Sequence, residues 1–408
     1  MSNSATEITK KVKLSQIETK DRLSDLSDCV IIRILSFLNI KRAIRTLVLS
    51  TRWKNLWKLL PELTFNSMYF KNCKSFTKFV SRVLSLRDPS ISLQALDFNH
   101  DSKTGLLEPS ILKMVMKYAI SHNVQRLRIS VSSDIAQIPN SVFSCQTLTH
   151  LKLAIYRRGG HKTPFPKSFN LPALTSLQLE NFKFCAGDKD RAEPFSAFNM
   201  LNSLFISNCT VSGARTLCIS SATLVNLTLY NEFLNFYIIK LCTPSLCTFA
   251  FTGTPYQKLS GSDVSSLKHV EIYAEVMSNQ KKPPWHLFSW LQEFPNIKSL
   301  TVSATTLQVL YLIPGLLKTN YPSLTNLESL KVKLKPLSYR LRMILCRVML
   351  KKVKSKKEAA NLRRTFRKGS EPSSLIPDGI IDFLLQNSPS AKVDFIDCPK
   401  QPTRLTHL

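Results

Sequence analysis

A loosely kept apolar spacing, L-x-x-L-x-L, recurs from residue 60 to residue 332 and restricts this chain more than any other feature. Eleven copies can be read. They begin at Leu60, Leu93, Val124, Leu148, Leu174, Leu201, Leu224, Leu246, Leu267, Ile297 and Leu327. Successive copies from 201 to 267 are 23, 22 and 21 residues apart, and the widest steps are 30 to 33. The alternation inside each copy is strand-like, because neighbouring side chains leave a strand on opposite faces. A unit this short cannot bury its apolar face alone, so consecutive units must stack around a shared core. The expected fold is a solenoid, an architecture that offers a long binding surface rather than a catalytic pocket.

The totals agree with that reading. A period of roughly 20–29 residues is that of leucine-rich repeats. At 408 residues the chain exceeds one compact core, and its 44 % hydrophobic content can bury one. The expected organisation is a small domain followed by a repeat array. No run approaches the roughly 18 apolar residues of a membrane span. Met1 to Lys20 is polar and lacks the apolar stretch of a secretory signal, which predicts the nucleus and/or cytoplasm. The ten cysteines are scattered singly with no C-x-x-C pair, as expected of reduced packing residues.

The formal charge is +29, and its distribution is uneven. Between Lys331 and Lys368 stand fifteen Lys and Arg against one acid, Glu358. A field of that density attracts acidic proteins, nucleic acid or anionic surfaces without choosing among them.

Residues 1–20 read as a disordered, solvated tail. Residues 21–66 read as three short helices. Ser27 and Asp28 supply a helix start, and Val30, Ile31, Ile34, Leu35 and Leu38 follow at helical spacing. A break is expected near Asn39, and Ser50 is a candidate cap for a third helix carrying Trp53, Leu56 and Trp57. So small a bundle cannot hide all of these apolar side chains, which predicts a face that needs a partner.

The wording of this segment resembles the plant F-box. The runs are Asp21-Arg22-Leu23-Ser24-Asp25-Leu26-Ser27-Asp28, Ile34-Leu35-Ser36-Phe37-Leu38 and Arg45-Thr46-Leu47-Val48-Leu49-Ser50-Thr51-Arg52-Trp53-Lys54-Asn55-Leu56-Trp57. With the repeats behind it, the chain resembles the plant F-box/leucine-rich-repeat family. That resemblance implies a Skp-type adaptor as partner, through it the cullin and RING subunits of an SCF-type ubiquitin ligase, and a protein substrate held by the repeats. By position it implies docking through Leu26, Ile34, Leu35, Leu38, Val48, Leu49, Trp53 and Trp57. Two departures stand out: Ser27 occupies the usual proline position and Cys29 a common acidic one.

Residues 67–335 are expected to form an irregular leucine-rich-repeat horseshoe with a parallel concave sheet, its convex connections mostly loops and short helices. The segment 109–120 reads as one such helix. Only the repeat at Leu201 carries the fuller pattern, with Cys209 and Val211 following. The x positions should line the concave face, and Arg128, Lys152, Phe205, Tyr230, His269 and Tyr273 are its candidate substrate-binding residues. Residues 336–370 read as a basic amphipathic helical segment with a break near Lys354-Ser355. It contains a candidate nuclear import run, Lys351-Lys352-Val353-Lys354-Ser355-Lys356-Lys357. Residues 371–408 read as a C-terminal cap, with a helix near 380–385 and a strand at Val393 and Phe395.

No H-E-x-x-H, Cys/His cluster, G-x-G-x-x-G, phosphate loop or G-x-S-x-G elbow occurs, so no metal, cofactor or intrinsic enzyme is expected. Two other readings remain open at this stage. One is a nucleic-acid or anionic-surface binder acting through the basic segment, although nucleic acid is not the expected partner and no stable membrane insertion is expected. The other is an F-box decoy that binds the adaptor without delivering substrates.

Overall fold

The helix signals around Asp28 and Asn39 are realised. Helix α1 (Asp28–Ser36) buries Ile31 and Leu35, and α2 (Ile40–Arg45) starts where Asn39 Oδ1 accepts from the Arg42 amide at 2.9 Å. Two expected caps differ. The Ser27 hydroxyl makes no cap bond and lies 2.9 Å from the Cys29 thiol, leaving Asp28 as the favourable charge at the positive end of α1. Helix α3 (Trp53–Leu56) follows Arg52, not Ser50. Arg52 is fixed there by an ion pair with Asp28 at 2.7 Å and by donation to the Leu26 carbonyl, which ties the start of α1 to the start of α3.

A computed structural model describes residues 25–187, 190–231, 238–275, 286–313, 315–319, 324–334, 346–347, 350, 353, 355–368 and 376–397. The chain divides into two compact units, Met1–Leu60 and Pro61–Leu408. The three helices belong to the first. The expected tail 1–20, the start of the F-box run at 21–24 and most of the segment 336–354 lie outside the described residues.

In the second unit every copy of the apolar spacing becomes a strand. These are β1 (Glu62–Asn66), β2 (Ala95–His100), β3 (Arg126–Ser132), β4 (His150–Tyr156), β5 (Ser176–Glu180) and β6 (Ser203–Ser207). They continue as β7 (Asn226–Asn231), β8 (Thr248–Gly253), β9 (His269–Ala274), β10 (Ser299–Ser303) and β11 (Ser329–Leu334). With β12 (Lys392–Asp397) they form a 12-stranded sheet in chain order, and every neighbouring pair is parallel. The register stacks the motif residues: Leu96, Leu127, Leu151, Leu177, Leu204, Leu227, Phe249, Val270, Leu300 and Leu330 occupy one level and are all buried. Each such side chain contributes about 1.5–3 kcal/mol of burial, so the ladder is the main source of cohesion. Glu62–Asn66, at the end of the segment read as F-box, pairs with β2 and is the first strand of this sheet.

The fold is therefore an α/β solenoid: a few helices at the N-terminus, then a large parallel sheet built from repeats. Helix α4 (Cys73–Leu86) connects β1 to β2, and α5 (Pro109–Ser121) connects β2 to β3, over the span expected. The middle repeats differ from expectation. Their connections are short strands, arranged as a 3-stranded sheet (Thr163–Pro164, Phe182–Cys185, Thr210–Ser212) and a 4-stranded one (Arg191–Ala192, Thr216–Ser220, Ile238–Cys242, Lys258–Asp263). Leu217 and Ile219, and Ile239 and Leu241, fall at strand spacing and turn their side chains into the core. Helices return after β9, as α6 (His286–Gln292) and α7 (Ala304–Tyr311). Trp290 of α6 packs edge-on to Phe251 at 4.6 Å and donates its indole N–H to the Gln257 carbonyl at 2.7 Å.

Helix α8 (Lys356–Lys368) begins just after the expected break. Helix α9 (Ile380–Leu385) buries Ile380, Phe383 and Leu384. Ser388 then bonds the Leu327 amide and the Leu324 carbonyl at 3.2 and 2.6 Å. The C-terminal segment thus closes one side of the array and adds β12 as its last strand, leaving Phe395 53 % exposed at that edge.

Candidate functional site

Two surfaces stand out, one in each unit. On the helical unit, Val30, Ile34 and Phe37 project from one side of α1 at i, i+4 and i+7, and Leu47, Val48 and Leu49 follow the end of α2. Val48 is 81 % exposed, Phe37 74 % and Leu49 58 %. Arg33 lies over the Phe37 ring at 4.9 Å and holds it at the surface. Of the eight residues expected to dock, Ile34, Val48 and Leu49 are exposed, and Leu26 and Leu38 are half-buried. Leu35, Trp53 and Trp57 are buried: they are packing residues of this chain and present no free surface. Val30, Phe37 and Leu47 are exposed as well and were not among the eight. Their signal was the apolar surplus of the segment, which does not say which side chains are left outside.

On the repeat unit the site is the open face of the sheet, the face turned away from the motif leucines. Its middle row reads Thr64, Asp97, Arg128, Lys152, Gln178, Phe205, Thr228, Ala250, Glu271, Thr301, Lys331, Asp394 across the strands. Arg128, Lys152 and Phe205 are thus brought into one row within four consecutive strands. Tyr230, Thr252 and Tyr273 align in the next row, and His269 aligns with Thr248 and Ser299 in the row on the other side. All six expected substrate-binding residues therefore lie on this face.

The charged residues on it are largely paired, which the sequence did not reveal. Arg126 meets Glu62 at 2.7 Å and Arg128 meets Asp97 at 4.0 Å, around a depression of about 280 Å³ at the β1–β3 end. Burial raises the Asp97 carboxyl above its ordinary range, and Arg128 and Lys152 oppose the shift. Burial also lowers the His150 imidazole, helped by Arg126 and Arg128, so this end of the face disfavours a further positive charge. Tyr156 donates to Glu180 at 2.6 Å; burial and that bond raise its hydroxyl well above the ordinary tyrosine value. Tyr273 donates to Glu271 at 2.7 Å. Between β5 and β8 the middle row is uncharged, with Phe205 flanked along its own strand by Ser203 and Ser207. An uncharged centre with one aromatic, bordered by fixed charges, suits recognition of another macromolecule. Among the described residues no group of three or more His, Cys, Asp or Glu could hold a metal ion. No described helix is long and apolar enough to cross a membrane.

Fold and surfaces together define a class: a leucine-rich-repeat protein with an N-terminal helical unit that displays an apolar face. Comparison narrows it. The family model for the leucine-rich repeats of the FBD-associated F-box protein At5g56370 matches residues 112–270. The chain is 31 % identical over 176 residues to the FBD-associated F-box protein At1g60410 of Arabidopsis thaliana, which is 42 % of each chain. It is 26 % identical over 345 residues to the F-box/LRR-repeat protein At3g59210 of the same plant, covering 78 % of this chain and 69 % of the relative. The chain spans less than half the length of the first known relatives that it matches, 42 % to 49 %. These matches are to plant F-box and leucine-rich-repeat proteins.

Proposed function

We propose that this chain is the substrate-recognition subunit of an SCF-type cullin–RING ubiquitin ligase. The helical unit docks on a Skp-type adaptor, and the open face of the sheet holds the protein to be ubiquitinated. The observation that carries the reading is the exposed run Leu47-Val48-Leu49 together with the α1 stripe Val30, Ile34 and Phe37. Six large apolar side chains outside a unit of this size need a partner to remove them from water. Val30, Ile34, Phe37, Leu47, Val48 and Leu49 are the proposed contacts; Leu35, Trp53 and Trp57 act from inside by holding the helices in place.

On this reading the chain performs no chemistry. It is a non-catalytic subunit, and the transfer of ubiquitin belongs to the partner enzymes. Its contribution is proximity: a substrate held on the open face meets the charged enzyme at a high effective concentration. Such a subunit works in the nucleus, the cytoplasm or both.

Co-expression with a Skp-type adaptor tests the proposal. A complex that co-elutes in one peak, recruits cullin and supports ubiquitin transfer to captured proteins is expected. An adaptor complex that never supports transfer would instead support a decoy, and no complex at all would remove the ligase reading.

A further inference from the structure

The three registered rows of the open face carry six Lys and Arg against five Asp and Glu. The whole chain carries +29. The positive excess therefore lies off the face proposed for substrates, and its densest stretch is 331–368. Helix α8 is the longest described part of that stretch.

At 100° per residue the described cations of α8, Lys356, Lys357, Arg363 and Arg364, fall within one arc of about 120° along about 12 Å of helix. Lys356, Lys357, Arg363 and Arg364 are exposed and make no ion pair among the described residues. Glu358 lies on another side of the helix. The two lysines of the first turn also oppose the helix dipole, a conflict that a bound anion relieves.

We propose that α8 is a nucleic-acid-binding helix that grips the phosphate backbone without reading sequence. The basic arc holds no large apolar side chain, only Ala360. Protein interfaces have cores poor in charge and anchored by aromatic or aliphatic residues, so a wholly cationic arc fits a polyphosphate better than an acidic protein. A membrane helix needs a broad apolar face; the opposite arc offers only positions 359, 362 and 366, with Ala359 already half-buried. Arginine, present at 363 and 364, matches phosphate oxygens with its planar fork. This inference is independent of the adaptor reading.

The test is fluorescence anisotropy of the full chain with a labelled DNA duplex of about 20 base pairs over a salt series. The comparison variants are R363E/R364E, the neutral R363A/R364A, and K113E/K117E, which changes charge equally at exposed positions of α5. The expected result is binding that weakens at least about tenfold in R363E/R364E, with the salt slope reduced by about 2, and weakens less than about threefold in K113E/K117E. R363A/R364A should fall between, with wild-type circular dichroism. Parallel titrations use polyglutamate and vesicles of phosphatidylcholine with roughly 30 % phosphatidylserine. No duplex binding at low salt, equal loss in K113E/K117E, or tighter binding to polyglutamate or vesicles would each overturn the proposal.

Discussion

Lys333 reaches back across the sheet to Tyr273: its ammonium sits 4.7 Å from the centre of the tyrosine ring and bonds the hydroxyl, although 60 residues separate the two in sequence. Ser303 aligns with Lys333 on β11, and its small side chain on the intervening strand leaves the path open. Tyr273 in turn donates to Glu271, which lies 4.0 Å from Lys333. Tyr273, expected on the concave face, is thus held in place there by two charges.

This lock should be measurable without any partner. A double-mutant cycle with Tyr273→Leu and Lys333→Met, read by urea unfolding, should give a coupling of about 0.5–1 kcal/mol, the range for a half-exposed cation–ring pair. Strict additivity would mean that the pair is not formed in solution.

A single glycine carries a packing demand. Gly253 ends β8 at φ 134°, and a Cβ there would lie 1.9 Å from the Asn231 carbonyl oxygen on β7. Gly253→Ala should therefore cost roughly 1–3 kcal/mol or more, through both backbone strain and the clash. A midpoint within error of wild type in urea would contradict that geometry.

The helical unit separates inside from outside. Trp53→Ala empties a buried site and should lower stability by about 3–5 kcal/mol. Val48→Asp changes an exposed position and should stay within about 0.5 kcal/mol of wild type. Similar losses for both, followed by thermal unfolding, would show that Val48 is not a surface residue.

Stability should fall on mild acidification. His100 is buried beside Phe76, and burial lowers its imidazole below the ordinary 6.5, with Asp101 partly opposing. The unfolded chain takes up that proton first, so the contribution is complete above pH 6.5 and is lost as pH falls below it. His150, also lowered by burial, acts in the same direction. Denaturant titrations at about pH 7.5 and 5.5 should show the loss, and His100→Gln should shrink it. An unchanged pH dependence in His100→Gln would assign the effect to other groups.

The strands were legible because each repeat announces itself twice, by period and by alternation. All eleven copies became neighbouring strands, and Val393 and Phe395 marked the twelfth. The short strands on the far side were not legible, because runs such as Thr216–Ser220, though as long as β6, do not carry the L-x-x-L-x-L spacing. Open-face positions followed from register alone. Their pairing did not, since Glu62 meets Arg126 and Tyr273 meets Lys333 only after the array has stacked. Exposure in the helical unit was half legible: of the eight positions singled out, Ile34, Val48 and Leu49 lie outside, but whether a tryptophan faces in or out depends on packing that no local pattern records.

The most direct test is calorimetric titration of a purified Skp-type adaptor into the full chain, with V48D/L49D as the comparison, at low and high salt. The account predicts binding that persists in high salt and is lost in V48D/L49D while that variant keeps the wild-type unfolding midpoint. Binding by V48D/L49D as tight as wild type, or none by the wild type, would contradict it.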